Sequence, residues 1–221
     1  MDNVLFFPSS TIVDKNIPKN AFFGRANSGK KNAMKEILTH EFETITWLYK
    51  LADDTLNIAD GKEVHEIDVF VCKMKNKDYK PESIFLLDEL LPRHTFFVVE
   101  YEENIDLLMR YKEQIEFHGE TRWKYGKTEI LKRYVPVKKT LLLEGMSMDK
   151  IYANFLGYIS QLDIQTVEEY KELKAQIAEK ETLMKQLSSL ESKVKKEVQP
   201  RKKFELHQQI VKLKRDLDII K

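Results

Sequence analysis

The spacing of hydrophobic positions changes several times along the chain, and each change marks an element. An extended opening through Thr11-Ile12-Val13 is followed by Asn16-Ile17-Pro18, which can start a short helical turn ending near Phe23. From Asn32 to about Leu51, Ile37, Glu41, Ile45 and Leu48 recur at helical spacing, flanked by Phe42 and Tyr49, and predict one long helix. Glu66 to Met74 alternates instead. Ile67, Val69, Val71 and Lys73 share one face and Asp68, Phe70, Cys72 and Met74 the other, so the segment predicts a strand buried on one face and largely on the second. Pro81-Glu82 opens a helix through Leu91, because the proline ring suits the first helical position. Thr95–Tyr101 and Ile105–Tyr111 predict a hairpin around Glu102-Glu103-Asn104. Trp123, Tyr125, Tyr134-Val135 and Leu141-Leu142-Leu143 suggest further strands, and Ser147 caps a helix from about Met148 to Gln161.

The tail has a different rhythm. Thr166-x-x-Glu169 has the form of a capping box. Behind it Tyr170, Leu173, Ile177, Met184, Leu187 and Val194 form a stripe, interrupted by Lys180 and Glu191 and broken at Pro200. Leu206, Ile210, Leu213, Leu217 and Ile220 then advance by steps of 4, 3, 4 and 3, the spacing of a coiled-coil seam. So short a helix must cover its seam, either by folding back on the preceding helix or by pairing with another chain. The expected fold is α+β: a body over residues 1–163 with a mixed sheet and packed helices, then a C-terminal helical hairpin or coiled-coil arm over 164–221.

Charge sharpens this division. The 221 residues carry a net charge of +1, but residues 166–221 hold 14 Lys+Arg against 10 Asp+Glu, leaving the body slightly acidic. Lys193, Lys195, Lys196, Arg201, Lys202 and Lys203 gather around Pro200, opposed locally by Glu197. On a hairpin these six cations meet at its tip, where a phosphate backbone is a suitable target. The single cysteine, Cys72, excludes an intramolecular disulfide and a thiolate zinc cluster, and fits a reducing cytosol. No apolar run approaches the roughly 20 residues of a membrane span, and Met1-Asp2-Asn3 lacks the basic start of a signal peptide.

Catalytic patterns are incomplete. Gly24-x4-Gly29-Lys30 has the outline of a phosphate-binding loop, yet Lys31 stands where a hydroxyl should ligate magnesium, no apolar strand precedes it, and Ile84–Glu89 reads as helix. Glu66 and Asp68 could serve a metal-dependent nuclease, but the strand continues Val71-Cys72-Lys73 without a further Glu; Asp68 and Lys73 read more simply as polar residues at a sheet edge. His40, His65, His94, His118 and His207 show no metal-ligand spacing. Neither a catalytic set, a metal site nor a cofactor is expected.

Several blocks together resemble a prokaryotic family, domain-of-unknown-function family 4391. They are Ser10–Lys15 with Ile17-Pro18-Lys19 and Phe22-Phe23, Ile45–Ala52 leading to Thr55–Ile58, the strand Glu66–Lys73, the Leu87-Asp88 helix ending at Pro92, the hairpin through Tyr111-Lys112, and Lys202–Leu206. The Trp47-x-Tyr49-Lys50-Leu51 block is the most specific. Lys19, Trp47, Tyr49 and Lys50 match family motifs without an assigned role, and Trp47 and Tyr49, two apart on the expected helix, cannot share one narrow face. The resemblance implies a cytoplasmic protein that travels with helicases and DNA-modification methyltransferases of restriction-like defence modules. The function expected is therefore a non-catalytic accessory subunit. It would dock on such a partner, or on its own copy, through the seam and reach DNA with the tip; a divergent metal-dependent nuclease is the alternative.

Overall fold

The computed structural model describes residues 5–23, 29, 31–135 and 143–219. It divides into two compact units, residues 1–167 and 168–221. The first is an α+β body around one six-stranded mixed sheet, ordered β1 (Ile12–Asn16), β2 (Phe42–Ala52), β3 (Glu66–Met74), β4 (His94–Tyr101), β5 (Asn104–Phe117) and β6 (Glu120–Leu131). Every neighbouring pair is antiparallel except β3 and β4, which run parallel because the helix α4 (Pro81–Asp88), with Pro81 in its first turn, carries the chain across between them. A helix of four residues, α1 (Asn20–Phe23), and α2 (Lys31–Glu41) join α4 over one face, where Phe22, Leu38, Phe70, Leu87 and Phe97 share a core. The short α3 (Asp53–Leu56) follows β2 directly. The opposite face is closed by α5 (Met148–Ser160), whose Phe155 packs on Phe7 and Phe96 and whose N-terminus is capped by the Ser147 hydroxyl accepting from Lys150 N–H. Asp149, in the first turn of α5, accepts backbone N–H groups of Lys62, Glu63 and Val64, which ties the β2–β3 connection to this helix.

One expected element is replaced by two. The long helix of residues 32–51 stops at Glu41, and Phe42–Ala52 is strand. The run Thr44-Ile45-Thr46-Trp47-Leu48-Tyr49 is rich in β-branched and aromatic residues that fit a pleated surface. Pairing with β1 and β3 on both sides overrides a helical spacing that arose by coincidence. Trp47 and Tyr49 do lie on opposite faces, for a different reason. A bulge at Leu48 sets two β2 residues against one of β3, pairing Trp47 with Phe70 and Tyr49 with Val69. Tyr49 is buried and its hydroxyl donates to the Leu5 carbonyl at 2.7 Å. Trp123 and Tyr125 fall in β6 as expected, Tyr134-Val135 does not form a strand, and Leu141-Leu142 lies outside the described residues. Within the phosphate-loop pattern, 24–28 and 30 also lie outside them; Ile84–Asp88 is helical.

The second unit is made almost wholly of two helices, α6 (Val167–Lys196) and α7 (Pro200–Ile219), which form a helical arm. Glu191 and Lys214 approach to 3.6 Å between them, and Tyr170, Val194 and Ile210 are the buried residues of its stripes. On α6 the inward stripe runs through Leu183, Leu187, Leu190 and Val194, and Met184 is exposed instead of belonging to it. Among the described residues no helix is long and apolar enough to cross a membrane.

Candidate functional site

The alternation of β3 aims Glu66, Asp68 and Phe70 at the face that carries α1 and α4, and registration with neighbouring strands completes a row. Lys15 pairs with Trp47, Trp47 with Phe70 and Phe70 with Phe97. Lys15 reaches this face through a β1 irregularity in which Asp14 takes a positive φ of 46°. The rings stack along the row, with centroids 6.4 Å apart for Trp47–Phe70 and 5.9 Å for Phe70–Phe97. Above it opens a cavity of about 480 Å³, walled by Ile17, Pro18, Ala21 and Phe22 on one side and Leu91, Pro92 and Arg93 on the other.

Among the described residues, Asp68 is the one acid lining this cavity. It is not an edge residue: β3 is an interior strand and Asp68 is only 4% exposed. Burial first, then the charge of Glu66, pushes its pKa up to about 7; Arg93 and the Trp47 indole N–H pull the other way. Arg93 Nη1 stands 2.9 Å from Glu66 Oε1 and 4.0 Å from Asp68 Oδ2. Asp68 Oδ1 and Glu66 Oε1 are nevertheless buried without a hydrogen-bond partner. Asp68 Oδ1 is the orphan of the two, since Glu66 Oε1 keeps its ion pair with Arg93; such an acceptor is expensive, and one proton or one external donor beside it would satisfy it. Lys50, opposite Asp68 in register, sits 3.8 Å from Glu66 Oε2 and 3.4 Å from Asp54 Oδ2. Lys50, His65, Glu66, Arg93 and Trp123 line a second opening of about 360 Å³, so Arg93 borders both.

A separate ionic cluster closes the sheet further along. Lys112, fully buried, holds Asp88 Oδ1 at 2.8 Å, Arg110 grips Asp88 Oδ2 at 3.1 Å, and the Thr95 hydroxyl donates to Asp88 Oδ1. Desolvation lowers the pKa of Lys112 while Asp88 opposes the shift. The neighbouring His94, 3.1 Å from the Lys112 carbonyl oxygen and against Trp123 and Tyr152, is driven down to about 4, chiefly by burial.

The model of the family described as Domain of unknown function (DUF4391) matches residues 5–217 of the 221. The chain belongs to this family. No curated protein and no solved structure matches it.

The DUF4391 motif residues take different places in the structure. Lys19 donates to the Phe42 carbonyl at 2.5 Å, and burial lowers its pKa. Trp47 lies in the cavity floor, Tyr49 is core, and Lys50 joins the acid pair. On the arm, Leu206, Leu213 and Leu217 are half-buried and Ile210 is buried, whereas Ile220 lies outside the described residues. Lys193, Lys195, Lys196, Arg201, Lys202 and Lys203 are all exposed around the 197–199 connection, and among the described residues Arg201 alone of this set has an ion pair, with Glu205 at 3.4 Å. Val198 and Phe204 stand exposed among them, at 90% and 63%.

Arg93 was not singled out from the sequence, and Lys15 and Phe70 entered only as members of a family block and of the β3 alternation. A flexible cation outside a strand carries no signal of its own. Only registration of β1, β2 and β3 brings these residues beside Asp68.

Proposed function

We propose that this protein is a non-catalytic accessory subunit of a prokaryotic, restriction-like defence assembly, docking through its helical arm and touching DNA with the arm's tip. One observation carries the DNA contact: six cations crowd the 197–199 connection, all exposed and all but Arg201 without an ion pair among the described residues. Each phosphate neutralised there releases counterions, so binding strengthens as salt falls. The defence setting, with a helicase or methyltransferase partner, rests on the family resemblance. Replacing Lys195, Lys196, Arg201 and Lys202 by Ser should weaken DNA retention and reduce the slope of log affinity against log salt by about 3 to 4. Unchanged retention and slope would reduce the tip to a solubilising surface. Deleting residues 166–221 should abolish co-purification of the partner; a complex that survives deletion would rule out docking through the arm.

A second reading, a divergent metal-dependent nuclease, draws on the approach of Lys50 to Glu66, with Asp68 opposite Lys50 in register. Two carboxylates and a lysine at adjacent strand ends are the groups such enzymes use to hold magnesium and activate water. Against it, no group of three or more His, Cys, Asp or Glu side chains is placed to hold a metal among the described residues, although magnesium often needs only one or two carboxylates. Magnesium-dependent plasmid cleavage abolished by Asp68→Ala would favour this reading, and absence of cleavage would remove it.

A further inference from the structure

We propose that the cavity over the Lys15–Trp47–Phe70 row binds a purine nucleotide, with its ring on Trp47, its N–H edge toward Asp68 and its phosphate between Lys15 and Arg93. The inference is independent of the arm and needs no metal. Its physical basis is the division of chemistry around the cavity. At about 480 Å³ the volume lies within the range of small-molecule sites. The floor is a flat aromatic strip, Trp47 stacked on Phe70. The walls, Ile17, Pro18, Ala21, Phe22 and Leu91, hold no charge and would exclude water from the faces of a ring.

Polar groups enter at two places and differ in sign. Asp68 is an acceptor 96% removed from solvent, with one carboxylate oxygen lacking any partner. A ligand N–H delivered to this carboxyl group would supply the donor that the protein does not. Arg93 is half-exposed, and Lys15 is exposed on the edge strand across the row. Both line the cavity and can close on an anion from two sides.

Other ligand classes meet only part of this arrangement. A hydrocarbon would cover the rings but leave Asp68 buried and unsatisfied. A bare cation would answer Asp68 and make no use of the aromatic floor. A peptide carboxylate would suit Arg93 and Lys15 but bring no planar edge of donors. A purine nucleotide supplies a stacking face, N–H donors in the ring plane and a terminal anion together. Such a nucleotide could be free or the end of a nucleic-acid strand.

The test is calorimetric titration of the full chain at pH 8 in chelator, so that nuclease chemistry plays no part. Three probes serve: GMP, guanosine, and a short single-stranded oligonucleotide beginning with a 5′-phosphorylated guanosine. GMP should bind one to one with Kd below about 1 mM. Asp68→Asn should weaken it about tenfold or more, and Lys15→Gln should bring GMP down toward the affinity of guanosine. Ala21→Phe, at an exposed position in the wall, should block the cavity without disturbing the core. Oligonucleotide binding that GMP displaces and that exceeds GMP in affinity identifies a strand end as the source; weaker or undisplaced binding identifies the free nucleotide. The proposal fails if GMP and the oligonucleotide show no binding that Ala21→Phe removes, or if Asp68→Asn binds GMP as tightly as the wild type.

Discussion

Replacing Asp68 with Asn should stabilise the protein, and by more at pH 8 than at pH 5. The carboxyl group has a pKa near 3.8 in an unfolded chain and is pushed up to about 7 in the folded one, by burial and then by Glu66. Between these values the folded state binds more protons than the unfolded state, so stability falls as pH rises through the window. At pH 5 the folded carboxyl is still protonated, and the penalty is on the order of 1 to 2 kcal/mol; by pH 8 it has ionised and the penalty approaches roughly 4 kcal/mol. Asn is isosteric and cannot ionise. Its advantage over the wild type should therefore grow by about 2 to 3 kcal/mol across this range.

The assay is urea denaturation of both proteins at half-unit steps from pH 5 to pH 8. The difference between them is the informative quantity, because His94 bends the wild-type profile the other way over part of the window. A pH-independent difference would refute the argument. It would mean that Asp68 titrates like an exposed carboxyl and that its orphan oxygen finds a partner in solution. The same stabilisation gives the Asp68→Asn binding experiment its force, since a variant more stable at pH 8 cannot lose GMP by unfolding.

Three further outcomes are expected. Lys112→Met should destabilise by about 3 to 5 kcal/mol in denaturant, because it strips the closest cation from a buried Asp88, and adding Asp88→Asn should recover part of the loss. His94, held near 4 against 6.5 unfolded, makes wild-type stability fall as pH drops from 6.5 to 4; His94→Gln should remove about 2 to 2.5 kcal/mol of that acid sensitivity, read from melts at pH 4.5 and 7. Gly61→Ala should lower stability by about 2 kcal/mol, since a Cβ there collides with the Val64 carbonyl and the Asp149 carboxylate that anchors the loop; an unchanged midpoint would show that the loop yields.

Much of this architecture was readable from spacing alone. β3 was legible because period-two alternation at Glu66–Met74 coincides with burial on both faces. The Ser147 cap and Pro81 start were legible because they are local chemistry. The break at Glu41 was not: Ile37, Glu41, Ile45 and Leu48 satisfy a helical period by accident, and only partners distant in sequence select a strand. The site was illegible for a related reason. One inserted residue at Leu48 turns Tyr49 away from Trp47, and a positive φ at Asp14 brings Lys15 round to Trp47; neither event leaves a mark in hydrophobic periodicity.

Among the described residues the body buries two aspartates, and the contrast between them bears on which one chemistry outside the chain could use. Asp88 is closed on every side: Lys112 and Thr95 occupy one oxygen and Arg110 the other, so an added ligand would have to displace an existing charge. That is the pattern of an ion cluster that fixes α4 against β4 and β5. Asp68 is equally removed from water, yet it faces another acid, leaves an oxygen without a donor and opens on a cavity with an aromatic floor. Folding is expected to gain nothing from this arrangement, because the raised pKa of Asp68 predicts that an amide of the same shape is more stable at neutral pH. A buried acid that weakens the fold and borders a cavity is better explained by what enters the cavity than by what surrounds it. If Asp68→Asn proves more stable and also blind to GMP, the two findings together separate a binding role from a structural one.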